Sequence, residues 1–218
     1  MKRGFVSFVG AGATIVDVGK TPGRACVGQG QINWLLVDWA RRSERVVRLK
    51  GGDPSVFGRL GEEIEAVRSA GIAFEVIPGV TAATAAAARV GVSLTERGSS
   101  SMIVFVTGTD HTGHYPATLE WDVLARVEGT LVFYMPVGAL EAITASLTSL
   151  GRDPREPAIV IERAGVEGER VIAARLGEIA DEARAARVAS PAVLLTGATI
   201  AGASVPLSVR RVLAGMGG

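Results

Sequence analysis

Apolar positions follow two periods along this chain. Ile32, Leu35, Leu36 and Trp39 recur at helical spacing within residues 29–42 and predict an amphipathic helix with one buried face. Trp34 falls off that stripe and is read as packing on a second element or at an interface. Short apolar runs bounded by Gly, Pro and Asp predict buried strands at 5–9, 14–18, the segment ending in Val46, Val47 and Leu49, and 74–77. Helices are predicted at 62–70, ended by Gly71, and at 81–89, where Thr81 is placed to cap an alanine-rich run. Beyond a Gly- and Ser-rich stretch at 91–101, helices at 119–127, 140–150 and 178–187 alternate with strands at 102–106, 130–134, 158–161, 170–174 and 192–195. That alternation is an α/β layout with mixed sheets, and the 91–101 stretch reads as the linker between domains spanning 1–98 and 99–218.

Composition narrows the function classes. With 218 residues, 48% of them hydrophobic, the chain can bury a full core as one domain or two small ones. A net charge of +1 gives no global field for nucleic acid or an acidic membrane, so an acidic ligand must be gripped by local arginines. A single cysteine, Cys26, excludes an internal disulfide framework and suits a reducing compartment such as the cytoplasm. MKRG is followed by only a short apolar run, unlike a signal peptide, and the alanine-rich helix is too short to span a bilayer. A soluble protein without nucleic-acid or membrane partners is expected.

Two nucleotide motifs fail on spacing. After Gly10 and Gly12, Ile15 stands where a dinucleotide fingerprint needs its third glycine, and GKT at 19–21 lacks the first glycine of a P-loop. His111 and His114 form an H-x-x-H pair without a third ligand nearby in sequence, which reads as a polar loop and no metal site. The informative stretch is RLKGGDPSVFGRLGEE at 48–63: a strand delivers its C-terminal end into Gly51, Gly52, Asp53 and Pro54, where backbone groups can approach a ligand without a Cβ in the way. Arg59 and Glu62 follow at a spacing that puts both on one side of a helix.

That stretch resembles the signature loop of the tetrapyrrole methylases, most closely the uroporphyrinogen-III C-methyltransferases. VGAG at 9–12, VGK at 18–20, EVIPGVTAA at 75–83, GVSLTERG at 91–98, FVTG at 105–108, GTLVFYM at 129–135 and SPAVLLTG at 190–197 fall in the family's order. The resemblance implies two α/β domains with a cleft between them, a homodimer, and methyl transfer from S-adenosylmethionine (SAM) to C2 and C7 of uroporphyrinogen III, giving precorrin-2 for siroheme or cobalamin synthesis. It implies that Gly51, Gly52, Asp53, Val56, Thr81, Ala82, Met135 and Ala164 contact the cofactor. Arg59 and Arg97 would face the substrate with Glu62 beside them, and Lys20 matches a position assigned proton transfer. The competing reading of Arg59 is a surface ion pair with Glu62 or Glu63. The chain departs from the family in three ways: Leu60 replaces a glycine, Glu96 replaces a histidine, and the helix, Tyr-Asp strand and further helix expected between Gly12 and Val16 are missing. The family's proposed base, that Tyr-Asp aspartate, therefore has no counterpart.

Overall fold

The computed structural model describes residues 10, 12–19, 27–110 and 114–204. The chain forms two compact units, 1–80 and 81–218.

In the second unit five strands form one sheet in the order β1-β2-β5-β3-β4. They are β1 (Ile103–Thr107), β2 (Thr130–Tyr134), β3 (Pro157–Glu162), β4 (Arg170–Arg175) and β5 (Ala192–Thr196). β1 runs parallel to β2, whereas β5 is antiparallel to both β2 and β3, and β4 to β3, which gives the mixed sheet expected. β2 and β5 are buried at every position, so their sequences read as continuous apolar runs rather than alternating ones. Leu131, Phe133, Val160, Ile172 and Leu194 share a core with Trp121, Ile143, Leu147 and Ile179. Those last four come from α4 (Trp121–Arg126), α5 (Leu140–Ser149) and α6 (Ile179–Ala185). Helix α3 (Ala82–Val90) contacts β2 and β5, and its Ala83, Ala86, Ala87 and Val90 are buried. A helix faced with alanines can lie this close to a sheet. Its packing joins it to the second unit, so the units part at Val80–Thr81, ahead of Gly98. Residues 96–100 form a tight hairpin, with Glu96 and Ser100 exchanging backbone hydrogen bonds at 2.8 and 2.9 Å across Gly98 (φ 88°).

In the first unit, α1 (Gln29–Arg42) packs on α2 (Leu60–Ser69), and Ile32 is buried. The strands expected at 14–18, at 46–49 and at 74–77 do not form among the described residues: these segments enter no ladder. A strand exists through hydrogen bonds to a neighbour, and the described residues of this unit supply none. Val47 (78% exposed) and Ile77 (67%) are accordingly open. The strand expected at 5–9 lies outside the described residues.

Candidate active site

The loop between residue 50 and α2 is built from close backbone approaches. Gly52 takes φ 76°, a conformation that favours glycine, and both Gly51 and Gly52 are exposed. A Cβ on Gly79 would lie 2.3 Å from the Gly52 carbonyl oxygen, so the 78–80 segment touches the loop's backbone directly. Asp53 closes that contact. Its Oδ2 accepts the Gly79 N–H at 3.0 Å, and its Oδ1 accepts the Ser55 N–H at 2.8 Å and the Ser55 hydroxyl. The Ser55 hydroxyl first, then the Gly79 and Ser55 N–H groups, hold the carboxyl below the ordinary aspartate range. Three donors occupy three of the roughly four acceptor positions of a carboxylate, leaving one on Oδ2. Val56 is half-buried in the same loop, its N–H donating to the Asp53 carbonyl at 3.3 Å.

Phe57 (φ 50°) and Arg59 (φ 55°) flank Gly58 in left-handed conformations, a local strain that turns the chain into α2. The Arg59 guanidinium grips Glu62 in a two-pronged pair, both contacts at 2.7 Å, with the two side chains 57% and 50% exposed. Hydrogen bonding to Glu62 raises the Arg59 pKa, and the same contact lowers that of Glu62.

On the second unit, β2 and β3 are both antiparallel to β5 and hence parallel to each other, so β1, β2 and β3 end at one edge of the sheet. Met135 follows β2 there, 47% exposed and left-handed (φ 54°). Gly108 follows β1: a Cβ on it would lie 2.7 Å from the Pro136 Cα, so only glycine allows this approach. Ala164 follows β3, in a loop that bends through Arg163 (φ 56°) and Gly165 (φ 74°). Glu169 fastens that loop, accepting the Gly165 N–H at 2.6 Å and the Arg89 Nε–H of α3 at 2.9 Å.

Thr81 stands at the N-cap of α3 but makes no capping bond. Its hydroxyl lies 2.6 Å from the Tyr134 hydroxyl, which also accepts the Ala83 N–H at 3.2 Å. A tyrosine from β2 thus caps the helix from outside and ties Thr81 and Ala83 to the end of β2. Sequence reasoning missed Tyr134, because the residue it caps lies 51 positions away. Arg97 is exposed on the 96–100 hairpin, beside Glu96, which accepts the Ser99 hydroxyl at 2.7 Å. Lys20 and His111 lie outside the described residues. Among the described residues no three His, Cys, Asp or Glu side chains cluster as metal ligands, and no helix is long and apolar enough to cross a membrane.

The profile of the tetrapyrrole (corrin/porphyrin) methylases matches residues 11–180. The chain belongs to that family. Among relatives of this methylase, the SAM-dependent uroporphyrinogen III methyltransferase of Methanosarcina barkeri is 41% identical over 86% of the chain and 73% of its own length. The siroheme synthase of Edwardsiella ictaluri is 43% identical over 88% of the chain, which spans 41% of that longer protein. The uroporphyrin-III C-methyltransferase of Thermus thermophilus, solved with S-adenosyl homocysteine, superposes with a TM-score of 0.70 at 42% identity, covering 79% of the chain and 74% of its own. A cobalt precorrin-4 methyltransferase superposes at 0.80 over 91% of the chain with 21% identity, a likeness of fold.

Proposed function

We propose that this methylase is a SAM-dependent C-methyltransferase converting uroporphyrinogen III to precorrin-2 by methylation at C2 and C7. The observation that carries the reading is the open corner at Gly51, Gly52 and Asp53: exposed backbone beside an anchored carboxylate that stays ionised. Such a corner fits SAM, whose sulfonium and ammonium are cationic and whose hydroxyls can donate to the free position on Asp53. The likeness to an enzyme solved with S-adenosyl homocysteine supports the fit.

When bound, SAM supplies an electrophilic methyl, which passes to a pyrrole carbon as the sulfonium becomes a thioether. The chain's own groups then have three tasks. Gly51, Gly52, Asp53 and Val56 hold the cofactor, with Thr81, Ala82, Met135 and Ala164 as further contact positions. The Arg59 and Arg97 guanidiniums orient a poly-carboxylate, for which their fork geometry is suited, and Glu62 sets the direction of Arg59. Lys20 takes part in moving the proton that leaves the methylated carbon. The enzyme would act as a cytoplasmic homodimer. Incubation with uroporphyrinogen III and SAM tests the reading: a product heavier by two methyl groups supports it, and a single addition or addition only to a later corrin precursor overturns it. Sedimentation tests the dimer.

One observation favours a second reading, cofactor binding without turnover. Among the described residues the segments at 14–18, 45–50 and 72–80 carry no ladder, and the Tyr-Asp aspartate has no counterpart in the sequence. Calorimetry with SAM beside the product assay separates the two: binding without product selects the second.

A further inference from the structure

The chemistry above leaves Lys50 and Glu63 without a role, yet they form the least exposed ion pair among the described residues of the first unit, with side chains 11% and 5% exposed. Glu63 Oε2 accepts the Lys50 ammonium at 2.7 Å, and its Oε1 accepts the Arg48 Nε–H and the Gln29 amide, each at 3.2 Å. The Lys50 ammonium also donates to the Gly58 carbonyl. Lys50 therefore staples the first residue of the 50–58 loop to its last, and Glu63 holds the staple in place. The lysine stem lies along the loop's far end: a Cβ on Gly58 would come within 3.2 Å of the Lys50 Cε and 2.4 Å of the Pro54 carbonyl oxygen. A carboxylate shut from water is stable only when well paired, and here it has two cations and an amide, in contrast to the open Arg59–Glu62 pair one residue earlier.

We infer that Glu63, acting through Lys50, is a positioning residue that fixes the Gly51–Gly52–Asp53 corner in its cofactor-receiving shape. This rests on the function proposed above. Neither side chain touches the reacting atoms: the effect passes through the loop backbone, so it is read in cofactor affinity rather than in the methyl-transfer step.

The test is calorimetry of the full chain with S-adenosyl homocysteine, together with hydrogen exchange of the 50–59 amides, on the wild type, Glu63→Gln, Lys50→Gln and the double variant. Lys50→Gln leaves Glu63 paired with Arg48 and Gln29, so it keeps folding intact should Glu63→Gln impair it. Each single variant is expected to weaken binding at least tenfold, with the double no weaker than the worse single, faster exchange confined to 50–59, and kcat at saturating SAM within about threefold of wild type. Wild-type affinity in a folded Lys50→Gln variant overturns the inference, as does an additive double variant. A wild type that does not bind the cofactor product overturns both this and the proposed function. A bound wild type with indifferent variants overturns this alone.

Discussion

Gly79→Ala isolates the close approach on which the proposed cofactor corner depends. Gly79 does not have a positive φ, so alanine adds no backbone strain and acts only through its methyl group. That carbon would stand 2.3 Å from the Gly52 carbonyl oxygen and 3.1 Å from its carbon, where ordinary contact begins at 3.4 Å. Both are backbone atoms that no rotamer change can move, so the 78–80 segment and the loop must part by about 1 Å. Overpacking of this kind costs about 1–3 kcal/mol, or about 2–4 °C of Tm per kcal/mol for a chain of this size. The same displacement lengthens the 3.0 Å bond from Gly79 to Asp53 and moves the corner, and a 1 Å misplacement reduces turnover by about a hundredfold. Gly71→Ala is the matched control. At φ 71° with open space around it, it costs about 1–2 kcal/mol of strain but touches nothing in the loop. Differential scanning fluorimetry and calorimetry with SAM are expected to show both variants destabilised and only Gly79→Ala weakened in binding. Equal SAM affinities in the two variants would refute the reasoning.

Arg59→Lys keeps the charge and loses the fork; stability should stay within about 0.5 kcal/mol by urea titration while KM for uroporphyrinogen III rises about tenfold or more, and an unchanged KM would leave Arg59 a surface ion pair. Tyr134→Phe removes the outside cap on α3, lowering stability by about 1 kcal/mol, and Thr81→Ala should add little in that background, so additive losses would sink the shared-hydroxyl account. Asp53 has a folded pKa below its ordinary value, so its stabilising share is fully present above about pH 4 and is lost as pH falls through the folded value. The fall in urea midpoint between pH 5 and pH 3 should accordingly be smaller in Asp53→Asn than in the wild type, and equal falls would contradict the assignment.

The second unit was legible in sequence because its elements carry their own signals. The α5 stripe through Leu140, Ile143 and Leu147 repeats at helical spacing, and β2 and β5 carry unbroken apolar runs at 131–133 and 192–195 because both faces of the sheet are covered. Predicted and observed ends there agree within two residues. The first unit was less so. Val46, Val47 and Leu49 have strand composition, but composition cannot show that no neighbouring strand pairs with them. At the site, the Gly51–Gly52 turn and the Arg59–Glu62 spacing could be read locally. The Tyr134 cap and the Lys50–Glu63 staple could not, because they join residues distant in sequence whose side chains look ordinary alone.

β1, β2 and β3 discharge their chains at a single rim of the second-unit sheet, where Gly108, Met135 and Ala164 sit on connections outside the hydrophobic interior. Such a rim separates inheritance of shape from choice of chemistry. Transplanting the 163–169 connection from another tetrapyrrole methylase should alter affinity for S-adenosyl homocysteine, read by calorimetry, while the scaffold beneath keeps its stability.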